Sequence, residues 1–136
     1  MLRDRFENFS LTIADIWRNM QKIKTKAMEP FGLKSSHFMC LFFLHYENRP
    51  LTAAEISELS SLDKGAVSRS IADLIKAGYV SRPEQEDKRK YRAILELTES
   101  GQALSEKMNG IVDEFVKNAG AGLSDENRKV FYDSLF

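Results

Sequence analysis

The sequence predicts a mainly α fold with a small β-wing: a winged helix-turn-helix held between long N- and C-terminal helices. Three observations carry that prediction. Between Leu51 and Gly78, two short helices meet at a tight turn. Two strand-like runs follow, Tyr79 to Arg82 and Ala93 to Leu97, around a polar loop that ends in Lys88, Arg89, Lys90 and Arg92. On either side, residues 2–27 and 99–119 repeat apolar side chains at helical spacing, well beyond the usual helix of about 11–12 residues.

The first helix follows from Leu2, Phe6, Phe9, Ile13, Ile16, Met20, Ile23 and Ala27, which alternate steps of four and three. No Pro or Gly interrupts this heptad stripe. Two readings are open: packing on its own domain alone, or a helix that also crosses to a second subunit. The second is preferred because the stripe is so long. Pro30 and Gly32 end the helix. Ser35 and Ser36 are expected to cap a second helix, roughly His37 to Tyr46. Its run FMCLFFL is apolar all round, so periodicity cannot tell a buried helix from a buried strand.

Asn48, Arg49 and Pro50 make a turn. Thr52-Ala-Ala-Glu55 then forms a capping box that starts a short helix through about Leu59. Asp63 caps the next helix, where Val67, Ile71, Leu74 and Ile75 form one buried stripe. Gly78 is its left-handed stop. After the hairpin, Thr98 caps a helix from Glu99 to Ala119 with Leu104, Met108, Ile111 and Phe115 on one side. Gly120 and Gly122 break it, and Ser124 starts a last helix. Apolar residues run to the end of that helix, which leaves open a natural terminus beyond Phe136. The order is four helices, two strands, two helices, read as one domain over 1–136. The winged region covers about 35–98, and the outer helices cover about 1–30 and 99–136.

Twenty basic and twenty acidic residues cancel, so total charge says nothing about partners. Distribution says more. Residues 63–92 hold eight basic and five acidic residues, whereas residues 93–136 hold four and eight. Local sign decides, because attraction to phosphate acts within about 10 Å at ordinary salt. Cys40 is the only cysteine, which excludes an internal disulfide. The longest apolar run, Phe38 to Leu44, is too short to span a membrane. MLRDRFENF lacks the apolar core of a secretory signal, and the expectation is a soluble, cytoplasmic protein.

Lys64, Ser68 and Arg69 share the polar side of the helix after Asp63. A helix with short polar side chains can enter a major groove, where Arg grips guanine bidentately and Ser serves base or phosphate. Lys88, Arg89, Lys90 and Arg92 form the densest basic run and suit phosphates or a minor groove. Asp73 would repel phosphate and reads as structural or exposed.

The chain resembles the MarR family of winged-helix transcriptional regulators. The resemblance is carried by Leu51-Thr52 with Glu55-Ile56, Asp63-Lys64, Val67-Ser68-Arg69 with Leu74, and Gly78-Tyr79-Val80. Asp87-Lys88-Arg89, Leu97-Thr98 and Gly101 complete it. The helix order matches from end to end. One departure is a longer span between Asp87 and Thr98, with the extra length at Lys90-Tyr91-Arg92. The resemblance implies an obligate homodimer joined through the outer helices and a pseudo-palindromic operator in double-stranded DNA. It also implies repression released by a small-molecule effector of unknown identity, with no bound cofactor. Arg89 is the implied minor-groove contact and Asp87 an internal partner of the wing. Ser36, at the start of the second helix, joins the DNA-binding candidates.

Other readings compete. A redox sensor using Cys40 needs an accessible, electropositive thiol, and Cys40 lies in the most apolar stretch of the chain. His37, Cys40 and His45 do not fall on one helix face as a metal set. His37 itself reads either as a phosphate contact or as part of an effector pocket. Trp17, Met20, Met39 and Tyr46 could border such a pocket, though residues of this kind usually form core. An enzyme is excluded by the lack of a nucleophile–base pair, a Gly-rich phosphate loop or a zinc motif. A winged helix used only for protein contact would not need the basic wing.

Overall fold

Helix α2 (Ser35–Tyr46) is central to the domain: Phe38, Cys40, Leu41 and Leu44 are buried, which explains the apolar run in its sequence, while Ser36 and Tyr46 near its ends are exposed. It packs against α1 (Leu2–Met28), α3 (Ala53–Ser60), α4 (Lys64–Lys76), β3 (Ile94–Leu97) and α5 (Glu99–Gly120). The remaining elements are β1 (Leu51–Thr52), β2 (Val80–Ser81) and α6 (Asp125–Leu135). The computed structural model of the chain describes residues 1–84 and 93–136. Phe38, Cys40, Leu41 and Leu44 of α2 meet Ile56, Val67, Ile71, Leu74, Leu95, Leu104 and Met108 in one core.

Local chemistry sets the boundaries. Helix α1 gives way at Met28 to a single 3-10 turn, Glu29–Phe31, closed by Gly32 at φ 67°. The Thr52 hydroxyl accepts from the Glu55 N–H at 3.2 Å, and the Glu55 carboxylate accepts from the Thr52 N–H at 2.8 Å. That backbone donor is the first cause holding the Glu55 carboxyl below its ordinary pKa. Asp63 Oδ1 accepts from the Ala66 N–H and starts α4. Helix α4 ends in a Schellman turn: the Tyr79 N–H reaches the Leu74 carbonyl, the Gly78 N–H reaches Ile75, and Gly78 sits at φ 83°. The turn between α3 and α4 uses Ser61 in the left-handed region, φ 55°, where the Ser57 hydroxyl donates to the Leu62 carbonyl.

Two features differ from the sequence expectation. The predicted two-stranded hairpin is part of a three-stranded antiparallel sheet, β1–β3–β2, in which Leu51 pairs with Leu95 and Val80 with Leu97. Strand β1 is two residues long and has no periodicity to read. Ser35 and Ser36 do not cap α2; they lie inside its first turn, and Lys34 is the N-cap. The cap bond comes instead from His37, whose Nδ1 accepts from the Lys34 N–H at 2.9 Å.

Only the last turn of α1 is buried, at Ala27 and Met28. Leu2, Phe6, Phe9, Ile13, Ile16, Trp17 and Met20 lie open to solvent in the protomer, as do Val130, Phe131, Tyr132 and Leu135 of α6. Among the described residues, no helix is long and apolar enough to cross a membrane.

The junction of sheet and α5 is tight. The Tyr79 carbonyl accepts from the Thr98 N–H at 3.0 Å, and the Thr98 hydroxyl donates to the Gly78 carbonyl at 2.6 Å while accepting from the Gly101 N–H at 3.1 Å. A Cβ on Gly101 would overlap the Tyr79 carbonyl oxygen. Alanine ordinarily favours a helix over glycine by about 1 kcal/mol. Here Gly101→Ala should instead destabilise by about 1–3 kcal/mol, as overpacking does. Urea unfolding checks this, and an unchanged or raised midpoint would show that α5 shifts freely on the sheet.

Candidate nucleic-acid interface

Helix α4 separates its two faces cleanly. Val67, Ser70, Ile71 and Leu74 are buried, and Lys64, Ser68 and Arg69 are exposed with Ala72, Asp73 and Lys76. Three of the sequence candidates therefore stand together on the outer side of one helix. Ser36 is exposed in the first turn of α2, and the Ser70 hydroxyl donates to its backbone carbonyl at 3.3 Å. That bond places Ser36 beside α4. The remaining candidates, Lys88, Arg89, Lys90 and Arg92, lie outside the described residues, as does Asp87. Strands β2 and β3 bring Ser81 opposite Glu96 at the base of the segment that carries them.

The Arg69 guanidinium folds back over Gly65, one turn earlier. Its Nη1 lies 3.2 Å from where a Gly65 Cβ would be, and Asp63 Oδ1 lies 3.1 Å from the same point. A side chain at position 65 would crowd both groups. Gly65 thus belongs to the candidate surface although it carries no chemistry, and a glycine at the second position of an otherwise regular helix was its signal in the sequence.

Asp73 is exposed, as the sequence suggested, but it is engaged. Its Oδ2 lies 3.0 Å from His37 Nε2. Because the Lys34 N–H must donate to His37 Nδ1, that nitrogen carries no proton. Nε2 is then the nitrogen that donates to Asp73. This bond is the leading cause that lowers the Asp73 pKa, with attraction to His37, Lys34 and Lys76 adding to it and burial opposing it. His37 is buried and both its ring nitrogens are occupied, so it is neither a phosphate contact nor a metal ligand. Among the described residues, no group of His, Cys, Asp and Glu is placed to hold a metal ion.

Trp17 and Tyr46 are exposed, and Met20 is partly so. Tyr46 stacks on Phe42 at 5.6 Å, and Lys24 Nζ lies 5.7 Å from the ring centres of both Trp17 and Phe38. Burial pushes the Lys24 amine below its ordinary pKa.

Residues 31–90 match the sequence model of the MarR family. The chain is 31% identical over 114 residues to an uncharacterized HTH-type transcriptional regulator, YwoH, from Bacillus subtilis (strain 168), an alignment covering 84% of this chain and 81% of the relative. Its fold is similar to that of a MarR transcriptional regulator from Methanosarcina mazei Go1, with a TM-score of 0.81 and 30% identity over 95% of this chain and 85% of that one. A putative MarR family regulator from Listeria monocytogenes, solved in complex with 26mer DNA, shares the fold at a TM-score of 0.80 and 22% identity, over 99% of this chain and 83% of that one.

Cys40 lies in the core, and burial pushes its thiol up to about 12, against a smaller opposing pull from a backbone hydrogen bond. Thiolate is the reactive form, so at neutral pH the native protein should resist thiol reagents and mild peroxide. A chromogenic disulfide reagent should label Cys40 rapidly in urea and far more slowly in buffer. Equal rates would return the redox-sensor reading to consideration.

Proposed function

Because the chain belongs to the MarR family of transcriptional regulators, we propose that it acts as a homodimer that binds a pseudo-palindromic operator in duplex DNA and represses transcription until a small-molecule effector releases it. The observation that carries this reading is α4. Its buried stripe is locked on α2, and its opposite face offers Lys64, Ser68 and Arg69 at the spacing a major groove accepts. Ser36 stands beside it for a phosphate. Lys88, Arg89, Lys90 and Arg92 extend the contact to backbone and minor groove.

The dimer is supported by the apolar surface the protomer leaves open. Phe6 and Phe9 are 70% and 63% exposed, and Val130, Phe131, Tyr132 and Leu135 of α6 are exposed as well. Contiguous apolar surface of this extent calls for a partner, and two copies of α1 with α5 and α6 supply matching faces. The Lys24 ammonium beside the exposed Trp17 ring supports an aromatic anion as the effector. A winged helix used only to bind protein is the reading that a lack of DNA binding would favour.

Sedimentation should give twice 15.6 kDa. A stable monomer at micromolar concentration would refute the dimer. Selection from a random-sequence duplex pool should return sites with half-sites about 10–10.5 base pairs apart; enrichment of single half-sites would argue against a two-fold complex.

The two groups of cations should fail differently. Arg69→Ala should cost about 1–3 kcal/mol on the selected site and relax preference at one position of each half-site. Arg89→Ala should weaken binding to most sequences alike and reduce the salt slope by about one. If Arg89→Ala left affinity and slope unchanged in a folded dimer, the wing would not be a DNA contact.

A further inference from the structure

Helix α4 is held to α2 by directional bonds as well as by apolar packing. Ser70 reaches the Ser36 carbonyl, and one turn later Asp73 accepts from His37. Both bonds end on the first turn of α2, the turn that His37 also caps. Apolar side chains allow small slides and rotations, but a bond from a buried ring to one carboxylate oxygen fixes a direction. The helix whose outer face carries Lys64, Ser68 and Arg69 is aimed by that bond.

We infer that His37 is the positioning residue that fixes α4 on α2 for DNA binding, and that it does so only as the neutral imidazole, so that DNA affinity falls when the ring is protonated. This rests on the DNA-binding reading above. The reasoning is one of hydrogen count. Protonation adds a second ring hydrogen at Nδ1, which faces the Lys34 N–H at 2.9 Å. Two donors cannot share that line, so the imidazolium must give up the cap or turn away. The attraction of Asp73 opposes the turn, but that carboxylate's side chain is 62% exposed and solvent screens it. Other charges near the pair are Lys34 ahead of α2 and Lys76 on α4, both repelling an imidazolium. Lys24 of α1 sits over Phe38, the next residue, and adds to the same sign. Losing the cap loosens the turn that carries Ser36 and releases the anchor of α4 together.

Glutamine at position 37 makes the test sharp. At the third position of a helix it accepts from the cap N–H through its oxygen, and its amide hydrogen can still reach Asp73. It does not titrate. The probe is a duplex selected from a random pool by the wild-type dimer. His37→Gln should match the wild type at pH 8, and His37→Ala should be weaker there in a protein checked as folded and dimeric. Between about pH 8 and 5.5, the range in which imidazole titrates, the wild type should lose roughly tenfold more affinity than His37→Gln, the order of one misaimed base contact. His45 is present in both proteins, so its contribution cancels in the comparison. Nitrogen-15 spectra of the ring at pH 8 should show hydrogen on Nε2. Hydrogen on Nδ1, or the same pH profile in His37→Gln as in the wild type, would overturn the inference. A wild-type dimer that binds no duplex at pH 8 would overturn the DNA-binding reading itself, a result distinct from binding that ignores His37.

Discussion

The whole domain depends on the burial of α2. With His37, Phe38, Cys40, Leu41 and Leu44 all buried, α2 is not held by one amphipathic face. It must be met by α1, α3, α4, α5 and β3 together. Each large apolar side chain taken fully out of water contributes about 1.5–3 kcal/mol, and Leu41 is fully buried in a core shared by helices far apart in sequence. Met28 at the end of α1 and Met108 in α5 touch the same core as Val67 and Leu74 of α4. Helices α1, α4 and α5 are therefore seated on one shared element.

Much of this was legible in the sequence. Thr52, Asp63, Thr98 and Ser124 all accept from the backbone N–H that the capping pattern assigns them. Their chemistry is local, so a single sequence suffices. What was not legible depended on distant partners. Strand β1 exists because Leu51 pairs with Leu95 across the sheet, and two residues carry no pattern of their own. The N-terminus of α2 was placed close to its true position for the wrong reason: serines are common caps, but the cap bond comes from His37. A histidine three residues into a helix gave no signal of burial until Asp73 arrived from α4. The heptad stripe of α1 is plain in the sequence. Within the protomer most of it covers nothing, which is why pattern alone left two readings. The wing cations are plain in sequence, and their geometry lies outside the described residues.

Helix α4 also shows how a chain of zero net charge can offer a basic surface. It begins after Asp63 and includes Asp73, two carboxylates on the element expected to meet phosphates. Each has an internal engagement. Asp63 accepts from the Ala66 N–H at the helix N-terminus, where a negative group is favoured. Asp73 turns toward α2 and accepts from His37. The acids are spent on starting and orienting the helix, and Lys64, Arg69 and Lys76 remain on its exposed side.

The same economy bears on specificity. A base contact worth about 1–3 kcal/mol is lost if its side chain is misaimed by a fraction of its reach. Arg69 is long and rests over Gly65, so its own flexibility supplies little aim. Direction has to come from the backbone beneath it. That backbone is set at one end by the Asp63 cap, at the other by the Schellman turn through Gly78, and along its length by Ser70 and Asp73 against α2. The axis of α4 is fixed by groups at its ends and on its α2 side, not by the side chains of its exposed face.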